Sequence, residues 1–211
     1  MNLSGFRVRK PTGFWRKAIP VVYTILLVVS TVLLWRFENQ PGEFSAPPSS
    51  WPEGSKISRQ QKKLNLILFA HPKCSCTRAS LEELALIMSR AHNQIEATVL
   101  FYLPSDYPEA WNKTDLWHKA GHIPGTIVRS DLGGKEAAKF KASTSGQTFL
   151  FDSSGKTLFV GGITPSRGHS GDNSGRSIIL SAATQGINKN EIQKSFVFGC
   201  SLSSKKVQNE D

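Results

Sequence analysis

An α/β domain behind a single N-terminal membrane-spanning helix is the fold class that the sequence predicts, on three observations. An uncharged apolar stretch lies close to the start of the chain. A short apolar run, Leu64–Ala70, passes straight into helical periodicity and then into a second apolar run at 97–103. Later, two β-rich segments flank a turn of aspartate, serines and glycine.

Residues 18–35 (AIPVVYTILLVVSTVLLW) carry no charge. At the helical rise they reach about 27 Å, enough to cross the hydrocarbon core of a bilayer. A helix apolar on every face suits lipid better than a half-buried site. Pro20 is expected in its first turn, where a missing N–H does little harm. Trp15 and Trp35 bracket the stretch as interfacial aromatics do. Five cations and no acid precede it, whereas Arg36 behind it is offset by Glu38. This asymmetry places the N-terminus in the cytoplasm, with the domain on the periplasmic or extracytoplasmic side of the inner, cytoplasmic membrane. A cleavable signal is the rival, but the small residues Ser45 and Ala46 lie far from the apolar run and beside a proline, so the anchor is expected to stay. The chain then divides into a cytoplasmic basic N-terminus (1–17), a transmembrane anchor (18–36), a Pro/Ser-rich linker acting as spacer (37–62), the folded domain (63–202) and a polar tail (203–211).

The net charge of +10 does not indicate nucleic acid. Without the basic N-terminus, 21 basic residues face 16 acidic ones. No Arg/Lys tract is interleaved with aromatics to follow a phosphate backbone.

Leu64–Ala70 (LNLILFA) suits a buried strand. Apolar residues Ala79, Leu81, Leu84, Ala85, Ile87, Met88 and Ala91 set a helix over 78–92, with Thr77 or Ser75 as its cap. Residues 97–103 form the next strand, 108–120 a short helix, 124–129 a strand and 132–141 a helix. Thr148–Phe151 and residues 157–160 make a hairpin around Asp152 to Lys156. Glycine-rich 161–175 is a long loop, 175–185 the last helix, and 196–200 a short additional strand.

Strand, helix, strand, helix, antiparallel hairpin and closing helix resembles the order of the thioredoxin-like superfamily, a three-layer fold. Residues 140–162 resemble the second half of membrane-anchored, TlpA-like domains. HPKCSCTRASLEEL, GGITPSRGHSGDN and the late FGCSL are similar to bacterial RedB-type proteins. The superfamily resemblance covers about residues 64–186, and the RedB-type one reaches Cys200. It places the family's cis-proline at Gly146, where this chain departs from the pattern.

Three cysteines, Cys74, Cys76 and Cys200, form one close pair and a distant third, a pattern of reactivity or metal binding. A cysteine at a helix start sits in a positive field that favours the thiolate. In Cys-x-Cys the α-carbons lie about 5.5–7 Å apart, near the limit for a disulfide, so such a bond would be strained and oxidising. Cys74 is the better nucleophile and Cys76 the resolver, though the two roles are interchangeable. Cys200 is a packing residue, a distant resolving thiol or a third ligand. Beside it, His71 or His169 could complete a site for copper(I) or zinc. His169 and Asp172 could act as base and orienter, or Asp172 or Asn173 could simply cap the next helix.

The leading expectation is a thiol–disulfide oxidoreductase of the cell envelope acting on protein thiols or disulfides. Its candidate residues are Cys74 and Cys76, with Cys200, His71, His169 and Asp172 behind them, and it needs no cofactor. The alternatives are a copper- or zinc-handling protein using Cys74, Cys76, Cys200 and His169, and a scaffold that kept the fold without the chemistry.

Overall fold

Side-chain alternation builds the centre of the sheet. In β1 (Leu64–Ala70), Leu66, Leu68 and Ala70 face one layer while Ile67 and Phe69 face the other. Both faces are covered, which is why this strand reads as an unbroken apolar run. The structure, a computed structural model, describes residues 13–43, 47–187 and 191–202. The basic residues up to 12 and the polar tail 203–211 lie outside them.

Two units make up the chain, divided after Glu38. The first holds α1 (Gly13–Glu38), in which residues 17–38 have a mean hydropathy of 2.3 and no buried face. It is one helix long and apolar enough to cross a membrane. Hydroxyls along it are satisfied locally, Thr24 donating to the Pro20 carbonyl and Thr31 to that of Leu27. The helix starts earlier than predicted, so Pro20 stands two turns inside it instead of in the first turn.

In the second unit, α2 (Ser75–Ala91) follows β1 and leads to β2 (Ile95–Leu103), which runs parallel to β1. β3 (Thr126–Leu132) lies parallel to β2 at the sheet edge. β4 (Thr148–Phe151) pairs antiparallel with β1 and with β5 (Thr157–Gly161), and β6 (Gln193–Lys194) adds briefly to β5. The order is β3-β2-β1-β4-β5-β6. On one face α2, α3 (Asp115–Gly121) and α5 (Ser174–Thr184) bury Leu81, Leu84, Leu116 and Ile179. On the other, α4 (Lys135–Phe140) packs Phe140 against Phe69, Phe149 and Phe151. Helices on both sides of a sheet whose parallel half meets an antiparallel hairpin make this a thioredoxin-like fold.

The predicted spacer is corrected by the structure: much of it is part of the domain. Thr157 donates its N–H to Ser49 and Trp51 donates to Gly155. The Trp51 ring packs edge-on against Phe140 and Phe151, at 5.5 and 5.0 Å, and Ile57 is buried. Prolines and serines gave the segment an extended shape, but its two apolar side chains supply cover for the α4 face.

Two other boundaries moved. The helix expected over 108–120 splits into a 3₁₀ turn, Glu109–Asn112, and α3, because buried Asn112 turns inward to donate to Phe101 and Ser130. The strand expected to end at 129 runs to Leu132 and shortens the helix behind it. Gly133 and Gly134 turn the chain there, and Asp131 accepts from the first amides of α4. Residues 196–200 add no strand. Beyond β6 the chain instead leaves the sheet for the loop before β4.

Candidate active site

The site grows from the junction of β1 and α2. After Ala70 the chain turns through His71-Pro72-Lys73, tied by Cys74 N–H donating to the His71 carbonyl and Thr77 Oγ1 donating to the same oxygen. Cys74 is the N-cap of α2 in an extended conformation, with no side-chain capping hydrogen bond. Neither Ser75 nor Thr77 caps the helix: Ser75 is already its first residue, and Thr77 is occupied with His71 and Ser145. The Cys74 sulfur therefore lies in the positive field at the helix start, free to meet other sulfurs.

Two further segments close over it. The loop before β4 is held by Gly146 N–H donating to Phe69 and Ser145 Oγ accepting from His71 N. Across this loop runs the C-terminal segment: Ser145 N–H donates to the Cys200 carbonyl, Leu202 N–H to Ser143, and Thr144 bridges Ser201. Arg167 reaches over from the glycine-rich loop and donates to the Gly199 carbonyl at 2.7 Å. Gly199 passes so near Ser145 that any side chain there would run into its carbonyl oxygen.

The outcome is a triangle of sulfurs. Cys74 and Cys200 Sγ are 2.8 Å apart, and all three sulfurs lie within 4.8 Å of one another. Cys74 and Cys76 are 2% and 5% exposed, whereas Cys200 is open to solvent. Hydrogen bonding from Cys76, more than that from Cys200, pulls the Cys74 pKa down to about 4 against the opposing effect of burial. Cys76 is pushed well above the thiol range as the donor to Cys74, with burial adding to it and a backbone contact from Gly168 opposing. Cys200 is raised to about 11, by burial and then by its contact with Cys74. The three contacts thus favour the thiolate at Cys74 and the protonated thiol at Cys76 and Cys200.

The histidines stand apart from this triangle. Among the described residues, the side chains that one ion could reach together are Cys74, Cys76 and Cys200, without a histidine. His71 Nδ1 accepts from Lys73 N–H, its ring stacks on Tyr102 and meets the Trp111 edge, and burial lowers its pKa. His169 is exposed, with Nδ1 against the Arg167 carbonyl and Ser166. The structure corrects two expectations here. His169 is not among the metal-capable group, and it does not form a base–orienter pair with Asp172, which binds Arg176 instead. Asn173 caps α5 by accepting from Arg176 N. The sequence did not single out Ser145, Arg167 or Gly199, whose roles depend on contacts distant along the chain.

Gly146, where the sequence resemblance expects a cis-proline, has φ +91 and a trans peptide. A Cβ there would meet Ser80 Oγ at 2.9 Å. Gly146→Pro therefore fails twice, on a φ that proline cannot adopt and on the loss of the N–H to Phe69. We expect it to cost about 3 kcal/mol, seen as a melting temperature about 6–12 °C lower. An unchanged melting curve would show that the loop tolerates proline.

No family model and no curated protein matches the sequence. Among solved structures, an uncharacterized conserved protein from Geobacillus kaustophilus is similar, with 20% identity, coverage of 79% of this chain and 93% of that one, and a TM-score of 0.55. A hypothetical protein from Sinorhizobium meliloti shares 14% identity over 78% of this chain and 97% of its own, with a TM-score of 0.56. A secreted disulfide oxidoreductase of Mycobacterium tuberculosis, homologous to E. coli DsbE, overlays over 60% of this chain and 83% of its own at 9% identity, with a TM-score of 0.41. At such identities the first two likenesses concern the fold alone.

Proposed function

We propose that this protein is a thiol–disulfide oxidoreductase working through a Cys74–Cys200 couple, in the direction of disulfide donation. The observation that carries the reading is the 2.8 Å separation of those two sulfurs, one covered at the start of α2, the other on an exposed residue. It replaces the Cys74–Cys76 couple that the motif suggested, because Cys200 is brought to Cys74 by a backbone-paired segment.

In the oxidised protein a substrate thiolate attacks the exposed Cys200 sulfur. The Cys74–Cys200 bond breaks, its electron pair leaves on Cys74, and a mixed disulfide forms on Cys200. Cys74 is the better leaving group because its low pKa makes its thiolate the more stable of the two. A second substrate thiolate then attacks the substrate sulfur of the mixed disulfide. Cys200 departs and takes up a proton, in keeping with a pKa of about 11. Two substrate thiols have become a disulfide, and the couple has gained two electrons. A disulfide-class oxidant restores it. Stabilising the Cys74 thiolate favours the reduced form, which makes the oxidised form a strong oxidant.

The charge asymmetry around α1 supports a single-pass anchor with the domain outside the cytoplasm, where disulfides persist. The substrates there are protein thiols. The short motifs similar to RedB-type and TlpA-like proteins agree with such a placement.

The test is equilibration of the detergent-solubilised full chain in glutathione buffers, followed by acid quench, alkylation and peptide mass spectrometry. A Cys74–Cys200 linked peptide is expected, with Cys76 alkylated and a midpoint potential of about −200 mV or higher. A Cys74–Cys76 bond, or no bond at any potential, rejects the couple.

A further inference from the structure

Cys76 forms no disulfide in the exchange just described, yet it is buried within 4.8 Å of the other two sulfurs. We propose that the reduced protein binds one copper(I) ion through the three thiolates of Cys74, Cys76 and Cys200, with no histidine ligand. This goes beyond the redox reading, which joins only two of the sulfurs in a disulfide.

The fit is geometric first. With metal–sulfur bonds of about 2.3 Å, a trigonal site sets its sulfurs about 4.0 Å apart. The present spacing reaches that by opening the Cys74–Cys200 edge, with Cys76 already within 4.8 Å of both. Cys200 is the sulfur best able to move, since it is exposed and its backbone is fixed through its carbonyl to Ser145. The donor set comes next. Three soft sulfurs select copper(I) or zinc over harder ions. Closed zinc sites take four protein ligands in a tetrahedron. Here no histidine or carboxylate joins the sulfurs among the described residues, and both neighbouring histidines are engaged elsewhere. A three-sulfur shell without a fourth ligand suits monovalent copper. The start of α2 and Arg167, which is bound to the carbonyl beside Cys200, offset the negative charge of the three thiolates.

Disulfide formation and copper binding exclude one another, because oxidising Cys74 and Cys200 removes two ligands. Cys76 is a ligand in one and forms no disulfide in the other. The experiment is titration of the reduced full chain in detergent, under nitrogen, with copper(I) against bathocuproine disulfonate, together with X-ray absorption of the loaded protein. One copper per chain and a first shell of three sulfurs are expected. Second-sphere groups alone are worth about 10–100-fold in affinity, so losing a ligand in Cys76→Ser should cost about a hundredfold or more. Cys200→Ser should cost as much and serves as the second variant. A shell of two sulfurs, a shell containing nitrogen, or wild-type affinity in both variants overturns the inference. Copper bound as described in a protein with no Cys74–Cys200 couple would reject the redox reading alone. A working couple with a two-sulfur shell would reject the copper site alone.

Discussion

Gly199→Ala is expected to expose Cys74 to alkylation about a hundredfold faster than in the native protein. Iodoacetamide at neutral pH meets two obstacles in the native site. The sulfur it can reach, Cys200, holds its proton, with a pKa raised to about 11. The sulfur that is ionised, Cys74, is covered. A side chain at 199 collides with the Ser145 carbonyl and lifts the segment that covers Cys74. A local opening cost of about 3 kcal/mol corresponds to about that hundredfold. The pH profile carries the sharper signature. Because the chief cause of the low Cys74 pKa is the hydrogen bond from Cys76, lifting Cys200 leaves most of it in place. The folded pKa lies below that of an ordinary thiol, so the ionised fraction is complete above about 5 and is lost as pH falls through about 4. The Cys74 rate in the variant should therefore be flat from pH 6 to 8, where an ordinary thiol gains about tenfold per unit. Absolute speed is the weaker test, because nucleophilicity falls along with pKa. A rate that climbs tenfold per pH unit would remove the thiolate from the account.

The fold was legible where local pattern and tertiary role agree. The runs at 64–70 and 97–103 are buried on both faces, and the 78–92 periodicity faces a sheet, so each read correctly from its own residues. Residues 47–62 did not, because Trp51 and Ile57 find their partners, Phe140 and Phe151 among them, about 80–100 positions away. Proline and serine content describes how such a segment is extended, not what it lies against.

The same distinction governs the site. Placing Cys74 at a helix start needed only the step from apolar run to helical periodicity. The partnership with Cys200 needed the pairing of 201 with 144, which no spacing along the chain reveals. His169 and Asp172 illustrate the opposite error. Their sequence proximity suggested a catalytic pair, but each found a stronger local partner, the Arg167 carbonyl and the Arg176 guanidinium.

Glu83→Ala is the substitution expected to cost the fold most. Glu83 has a fully buried side chain on α2, and its carboxylate accepts from Gly171 N–H at 2.7 Å, Asn173 Nδ2 at 3.1 Å and Arg176 at 2.5 Å. These bonds fasten the end of the glycine-rich loop and the start of α5 to the helix that carries the cysteines. Removing the carboxylate leaves a backbone amide without its partner and a largely buried guanidinium held only by the exposed Asp172, a loss of about 3–5 kcal/mol. For a domain of this size that is about 6–20 °C in melting temperature. Surface pairs give the internal control. Arg78–Asp115, both more than half exposed, is as short at 2.5 Å, yet Asp115→Ala should leave the melting temperature essentially unchanged. The consequence reaches the site as well. Gly168, in the same loop, contacts Cys76, so freeing the loop should increase the labelling of Cys76 along with the fall in stability. A Glu83→Ala protein that melts like the native one and keeps Cys76 protected would mean that apolar packing of α5, through Ile179, holds the loop without the carboxylate.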